Sequence, residues 1–152
     1  MKKIMNSLMG AMVVAMMLIA SGASAQKITD CSQAVDLICT AFDDGATQFA
    51  NCKSLQDLAS VDMTSIVKGV ENAEVPDSCN DYVLTDADKD NLVKSFNRMM
   101  DTMRNKMLEF AGGMVTADML DEQFNPLKQM FGNVVNQSVT FGDCVTNLTN
   151  AF

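Results

Sequence analysis

Apolar residues recur at steps of three and four along most of the chain beyond residue 30. This spacing lines apolar side chains along one face of an α-helix, whereas a half-buried strand needs strict alternation of apolar and polar residues. Four segments carry the helical spacing, and no segment alternates long enough to indicate a strand. The sequence therefore predicts an all-α fold, an antiparallel up-down bundle of four or five helices stapled by disulfides.

The first two predicted helices occupy the stretch up to residue 70. Asp30 is placed to cap the first helix, whose apolar stripe runs to Cys52, and residues 43–45 (Asp-Asp-Gly) can bend or split it. Ser54 is placed to cap the second, with an acid three residues later as in a capping box. The apolar stripe of this helix is less regular and ends near Val70.

The last two predicted helices have clearer boundaries. Thr85 opens the third as part of a capping-box-like signal, and residues 112–113 (Gly-Gly) end it. Thr116 begins the fourth, whose apolar residues continue to Leu148. Pro126 lies inside this stretch, so it either kinks one helix or separates two.

The first 25 residues have the pattern of a secretory signal peptide. Lys2 and Lys3 form a basic start, residues 8–20 are a mostly apolar run of 13 residues, and Ala23-Ser24-Ala25 fits a cleavage site. The run is shorter than the roughly 20 apolar residues of a membrane span. We therefore expect cleavage after Ala25, which leaves residues 26–152 as one helical domain, periplasmic or secreted and without membrane insertion.

The composition excludes several classes of function. The chain has no histidine, which removes histidine-based nucleophilic pairs, a histidine general base and histidine-ligated metals. With 11 basic and 19 acidic residues its net charge is −8, and loss of Lys2 and Lys3 with the signal makes it −10. Such a charge disfavours nucleic acid, whose binding relies on basic side chains that neutralise phosphates. We expect a non-enzymatic protein without a cofactor.

All five cysteines lie in the part that we expect to be exported, where an oxidising compartment favours disulfides. In an up-down bundle Cys31, Cys79 and Cys144 fall at one end, with Cys39 two turns above Cys31, and Cys52 falls at the opposite end. Cys31 and Cys39 cannot form a disulfide with each other. Eight residues of helix separate their Cα atoms by about 12 Å, and a disulfide needs Cα atoms within about 7 Å. We therefore expect two disulfides among Cys31, Cys39, Cys79 and Cys144, with the pairing open, and a free thiol at Cys52.

Three aspartates near the start of the third helix invite a calcium-binding interpretation. Asp86, Asp88 and Asp90 match the first ligand positions of an EF-hand loop. However, Asn91 stands where the loop requires glycine, and Asn97 stands where it requires a bidentate glutamate. We therefore interpret the aspartates as an acidic first turn, which the helix dipole favours.

Four methionines on the third helix invite a copper-binding interpretation. Met99 or Met100 shares one helical face with Met103 and Met107, and thioethers are soft ligands that select Cu(I). The same spacing serves a helix core, which methionine fills well. We favour core packing and expect no metal site.

Two groups of carboxylates are candidates for acid–base chemistry, one at Asp43 and Asp44 and the other at Asp118, Asp121 and Glu122. Such chemistry needs a cleft that moves the pKa values of two carboxyls apart. Nothing in the sequence indicates a cleft, so we interpret both groups as solvated helix turns.

These exclusions lead to a binding or structural role. We predict an exported, non-enzymatic helical protein whose partner is another protein, bound through an apolar groove or edge of the bundle. Two alternatives stay open, a holdase-type chaperone with adaptable methionine-rich faces and a Cu(I) carrier that uses the 99–107 face. A histidine-free hydrolase is a third, and it would need an acid with a raised pKa in a pocket.

Overall fold

The computed structural model describes residues 26–62 and 73–151. The predicted signal peptide and the later part of the second predicted helix lie outside these residues. The described part contains five α-helices, two two-residue strands and one 3₁₀ helix. In chain order the elements are β1 (Gln26–Lys27), α1 (Ser32–Asn51), α2 (Leu55–Ala59), β2 (Ala73–Glu74), the 3₁₀ helix (Asp77–Asp81), α3 (Asp86–Phe110), α4 (Ala117–Gln137) and α5 (Phe141–Ala151).

The predicted all-α bundle is confirmed, and its centre is a cluster of three phenylalanines from three helices. Phe42 of α1 meets Phe96 of α3 and Phe131 of α4 edge-on, with ring centroids 5.4 and 5.6 Å apart. Phe96 and Phe131 stack on each other at 4.0 Å. All three side chains are buried. The cluster therefore holds the three long helices together at one level of the bundle.

Contacts between the helices show which of them run parallel and which antiparallel. Asp43 forms an ion pair with Arg98 (3.5 Å), and Cys52, farther along α1, lies near Lys106, farther along α3. α1 and α3 therefore run parallel, as the first and third helices of an up-down bundle do. In contrast, α4 runs antiparallel to α3, because Arg104 pairs with Asp121 near the start of α4 and the Lys89 ammonium reaches the Asn136 carbonyl near its end.

Most predicted helix starts are confirmed by their caps. Thr85 and Asp88 form the complete capping box of α3, and Ser54 and Thr116 accept backbone hydrogen bonds at the starts of α2 and α4. Asp30 is the exception. Cys31 is the N-cap of α1. The Asp30 carboxylate instead accepts hydrogen bonds from the backbone N–H and the hydroxyl of Ser32.

Neither of the two possible breaks interrupts its helix. α1 runs unbroken through residues 43–45, and Gly45 is buried within it. α4 runs unbroken through Pro126, which is exposed and has no backbone N–H to donate within the helix. The break comes at Ser138, and a second capping box between Thr140 and Asp143 then starts α5.

One disulfide joins the start of α1 to the 3₁₀ helix. Cys31 and Cys79 form it, with their Cα atoms 5.3 Å apart. β1 and β2 pair in parallel just beside it, through Gln26 with Ala73 and Lys27 with Glu74. The strands escaped the sequence analysis because two residues are too few to show alternation. Together these links fasten the beginning of the described chain to the segment that precedes α3.

The expected second disulfide is not formed. Cys39 and Cys144 have free thiols, as Cys52 does. The bundle explains why: Cys39 lies beside Ser95 in the middle of α3, whereas Cys144 lies beside Ser138, where α5 begins. The two thiols therefore lie against different parts of the bundle.

Within residues 26–62 and 73–151, no helix combines the length and the apolar character needed to cross a membrane.

Two glycines allow a matched test of the turn between α3 and α4. Gly113 has a φ of +85°, which strains any L side chain, while Gly132 lies inside α4 with room for a Cβ. We expect Gly113→Ala to lower the free energy of unfolding by about 1–2 kcal/mol and Gly132→Ala to raise it by up to about 1 kcal/mol. Urea denaturation of both variants measures this. Equal effects would contradict the left-handed turn.

Candidate functional site

The methionine stripe of α3 faces the core. Met99, Met100 and Met103 are buried, and Met107 is partly buried against the same cluster. Their packing partners include Phe96 and the apolar residues of α1 and α4. The structure therefore gives the 99–107 face a packing role and leaves little of it at the surface.

The aspartates that resemble a calcium loop lie in the first turns of α3. Asp88 is committed to the capping box and also accepts a hydrogen bond from the Tyr82 hydroxyl (2.9 Å). This hydrogen bond raises the pKa of Tyr82. Asp90 pairs with Lys94 one turn later. The backbone is helical here, so these residues do not form the loop that an EF-hand requires.

Of the three free cysteines, Cys52 and Cys144 are buried and Cys39 is half-buried. Burial raises the pKa of Cys144 and of Cys39 to about 11, although hydrogen bonds with Ser138 and Ser95 partly offset the effect. Burial also raises the pKa of Cys52, whose thiol donates to the backbone carbonyl of Gln48. Because the thiolate is the reactive form and the pKa of each thiol is raised, we expect all three to react slowly at neutral pH.

The candidate catalytic carboxylates are dispersed over the surface. Asp43 pairs with Arg98 across α1 and α3, and Asp121 pairs with Arg104 across α3 and α4. Asp44, Asp118 and Glu122 are exposed. Among the described residues, no group of three or more acidic or cysteine side chains is arranged to hold a metal ion.

Exposed apolar side chains distinguish two ends of the bundle. Val83 and Val139 project from neighbouring segments that are joined by backbone hydrogen bonds where α3 and α5 begin. Leu55, Met114 and Met119 are exposed at the opposite end, where α1 and α3 end and α4 begins. Met114 is 80% exposed, the largest exposure among the large apolar residues described.

We call Met114 and Met119 the methionine corner. α3 ends in Ala111, and Gly112 and Gly113 follow with φ values of +55° and +85°, which turns the chain sharply. The Met114 amide donates to the Ala111 carbonyl, so the turn is fixed while the Met114 side chain stays in solvent. Met119, in the first turn of α4, is 46% exposed and donates its amide to the Thr116 hydroxyl.

An ion pair fixes the two helices that carry the methionine corner. The Arg104 guanidinium donates to both carboxylate oxygens of Asp121, at 2.6 and 3.0 Å. This two-point contact, a geometry that arginine favours, ties the last turns of α3 to the first turns of α4. The hydrogen bond from Arg104 lowers the pKa of Asp121, and the same contact raises the pKa of Arg104.

Two acidic residues lie close to Met119 in the sequence of α4. Glu122 follows Met119 by three residues and so lies next to it on the helix surface, while Asp118 lies in the same first turn of α4. Both are exposed, and neither forms an ion pair with a described residue. The corner therefore combines apolar contact area with unneutralised negative charge.

The sequence analysis missed the methionine corner, although two signals for it exist. Met114 follows directly on the Gly-Gly turn, and Met119 falls beside the apolar stripe of α4 that Leu120 and Phe124 define. A large apolar residue outside the stripe faces solvent.

No family model matches the chain, and comparisons with curated proteins and with solved structures found no similar protein.

The thiols offer a first test of the site assignments. In the native protein at pH 8 we expect slow alkylation of Cys39, Cys52 and Cys144, because burial keeps the pKa of each thiol high. In denaturant without reductant, three thiols should react at once, and intact mass should count them. One reactive thiol would instead indicate a second disulfide.

The Asp121–Arg104 pair gives a pH-dependent test. Since the pKa of Asp121 is lowered in the folded state, the pair stabilises the protein above the pKa of an unfolded aspartate. This stabilisation is lost as the pH falls through the lowered value. We expect Asp121→Asn to be less stable than the wild type at pH 6, with the difference shrinking in acid. Thermal unfolding from pH 6 to pH 2 measures it, and a constant difference would contradict the pairing.

Proposed function

We propose that this protein is an exported, non-enzymatic helical protein that binds another protein through the methionine corner. The observation that carries the proposal is the exposure of Met114, a large apolar side chain held in solvent on a fixed turn. Exposed apolar side chains mark protein contacts when they cluster, and flexible methionines adapt to differently shaped partners. Met119 and Leu55 add apolar area at the same end of the bundle.

The charge around the corner favours a basic partner. Asp118 and Glu122 form no ion pair with a described residue, and the whole chain carries an excess of acidic residues. A segment with apolar residues on one face and lysine or arginine beside them complements this surface, because opposite charges steer the encounter. We therefore propose a basic amphipathic segment as the bound element.

Export is the expected setting of this binding. The pattern of the first 25 residues supports it, and so does the disulfide between Cys31 and Cys79, since disulfides persist mainly in oxidising compartments. The structure favours neither alternative function. A holdase or a Cu(I) carrier that used the 99–107 face would have to expose side chains that pack in the core.

Titration with two synthetic peptides tests the proposal. One is a 16-residue amphipathic helix of leucine and lysine, and the other has glutamate in place of lysine. We expect the lysine peptide to bind more tightly and to lose affinity with added salt, because exposed charges are screened. Fluorescence anisotropy of labelled peptides measures both affinities.

Variants locate the contact. We expect Met114→Gln combined with Met119→Gln to weaken binding of the lysine peptide about tenfold or more, since burying such a side chain is worth about 1.5–3 kcal/mol. Val83→Gln combined with Val139→Gln is the matched control at the opposite end and should bind like the wild type. Circular dichroism checks that both variants are folded. Equal affinities for the two variants would exclude the methionine corner as the binding surface.

A further inference from the structure

The described methionines differ sharply in exposure. Met99 and Met100 are fully buried and Met103 nearly so, whereas Met114 and Met119 are 80% and 46% exposed. Met107 and Met130 lie between these extremes. The chain thus presents the same thioether group in two environments, one closed to any reagent in solution and one open to it.

The thioether is a nucleophile that a peroxide oxidises in one step. The sulfur attacks one peroxide oxygen, the O–O bond breaks, and the sulfur takes up that oxygen as a sulfoxide. The sulfur loses two electrons, and the rest of the hydrogen peroxide leaves as water. The reaction therefore needs access to the sulfur but no neighbouring base or metal.

We propose that Met114 and Met119 form an oxidation site, at which peroxide converts both thioethers to sulfoxides before it reaches the other described methionines. An exposed side chain on a fixed turn meets the oxidant without any opening of the fold. Oxidation of Met99, Met100 or Met103 would instead require the core to open, because their side chains are buried in the core cluster.

The cysteines do not compete strongly for the oxidant. Cys31 and Cys79 are already joined, and burial raises the pKa of Cys39 and Cys144 to about 11. Since the thiolate is the form that peroxide attacks, these thiols react slowly near neutral pH.

Oxidation changes the chemistry of the methionine corner. A sulfoxide is polar where the thioether was apolar, so it removes the contact area on which the corner depends. In this second part the inference rests on the proposed function: oxidation of Met114 and Met119 releases the basic amphipathic segment.

A time course with dilute hydrogen peroxide tests the site. The full exported protein is treated at pH 7, quenched with free methionine, and mapped by peptide mass spectrometry. We expect Met114 to be oxidised at least tenfold faster than Met99, Met100 and Met103, with Met119 second. In denaturant all methionines should react at similar rates, which provides the internal reference. Equal rates in the native protein, or earlier oxidation of Met107 or Met130, would overturn the proposal.

A leucine variant separates the modification from its effect. Met114→Leu combined with Met119→Leu keeps both positions apolar but removes the oxidisable sulfurs. The affinity of each protein for the leucine–lysine peptide is measured before and after peroxide. We expect peroxide to weaken binding about tenfold in the wild type and to leave the variant's affinity at its own value before treatment. Selective oxidation of a protein that never binds the peptide would support the oxidation site and refute the proposed function. Equal loss of binding in the variant would refute the release.

Discussion

The contact of Phe42 with Phe96 and Phe131 is the interaction on which the rest of the bundle depends. Each ring comes from a different long helix, so the cluster fixes the level at which α1, α3 and α4 meet. Ring pairs of this kind contribute about 0.5–1.5 kcal/mol each beyond the burial of their area, which is substantial against a total stability of about 5–15 kcal/mol. Because α3 and α4 are aligned by this contact, Arg104 of α3 lies opposite Asp121 of α4 and the two form an ion pair nearer one end of the bundle.

The same packing divides the methionines into two populations. The α3 stripe is turned toward the phenylalanines and toward α1, and it fills the core. Beyond the end of α3 the chain turns through Gly112 and Gly113, which have positive φ values, and the Met114 side chain that follows is exposed. Methionine therefore fills the core at Met99, Met100 and Met103 and is exposed at Met114 and Met119, while Met107 and Met130 are partly buried. This division supports both the binding role and the oxidation site that we propose.

Much of the fold follows from local signals. The capping box of Thr85 with Asp88 and the Gly-Gly end of α3 were predictable because each depends on residues a few positions apart. Thr140 and Asp143 are likewise only three positions apart and form the capping box that starts α5, so this helix start was also predictable from the sequence. The pairing of Cys31 with Cys79 was not predictable, because it depends on how a 3₁₀ helix 48 residues away packs against α1. The exposure of Met114 likewise depends on what lies beside the turn.

Methionine-methyl NMR is the most direct test of the division between core and corner. In a sample labelled with ¹³C at the methionine methyl groups, addition of the leucine–lysine peptide should shift the signals of Met114 and Met119. The signals of Met99, Met100 and Met103 should stay in place, because the peptide binds without opening the core. Shifts in the three core signals would contradict binding at the methionine corner and would point to a protein that opens around its partner.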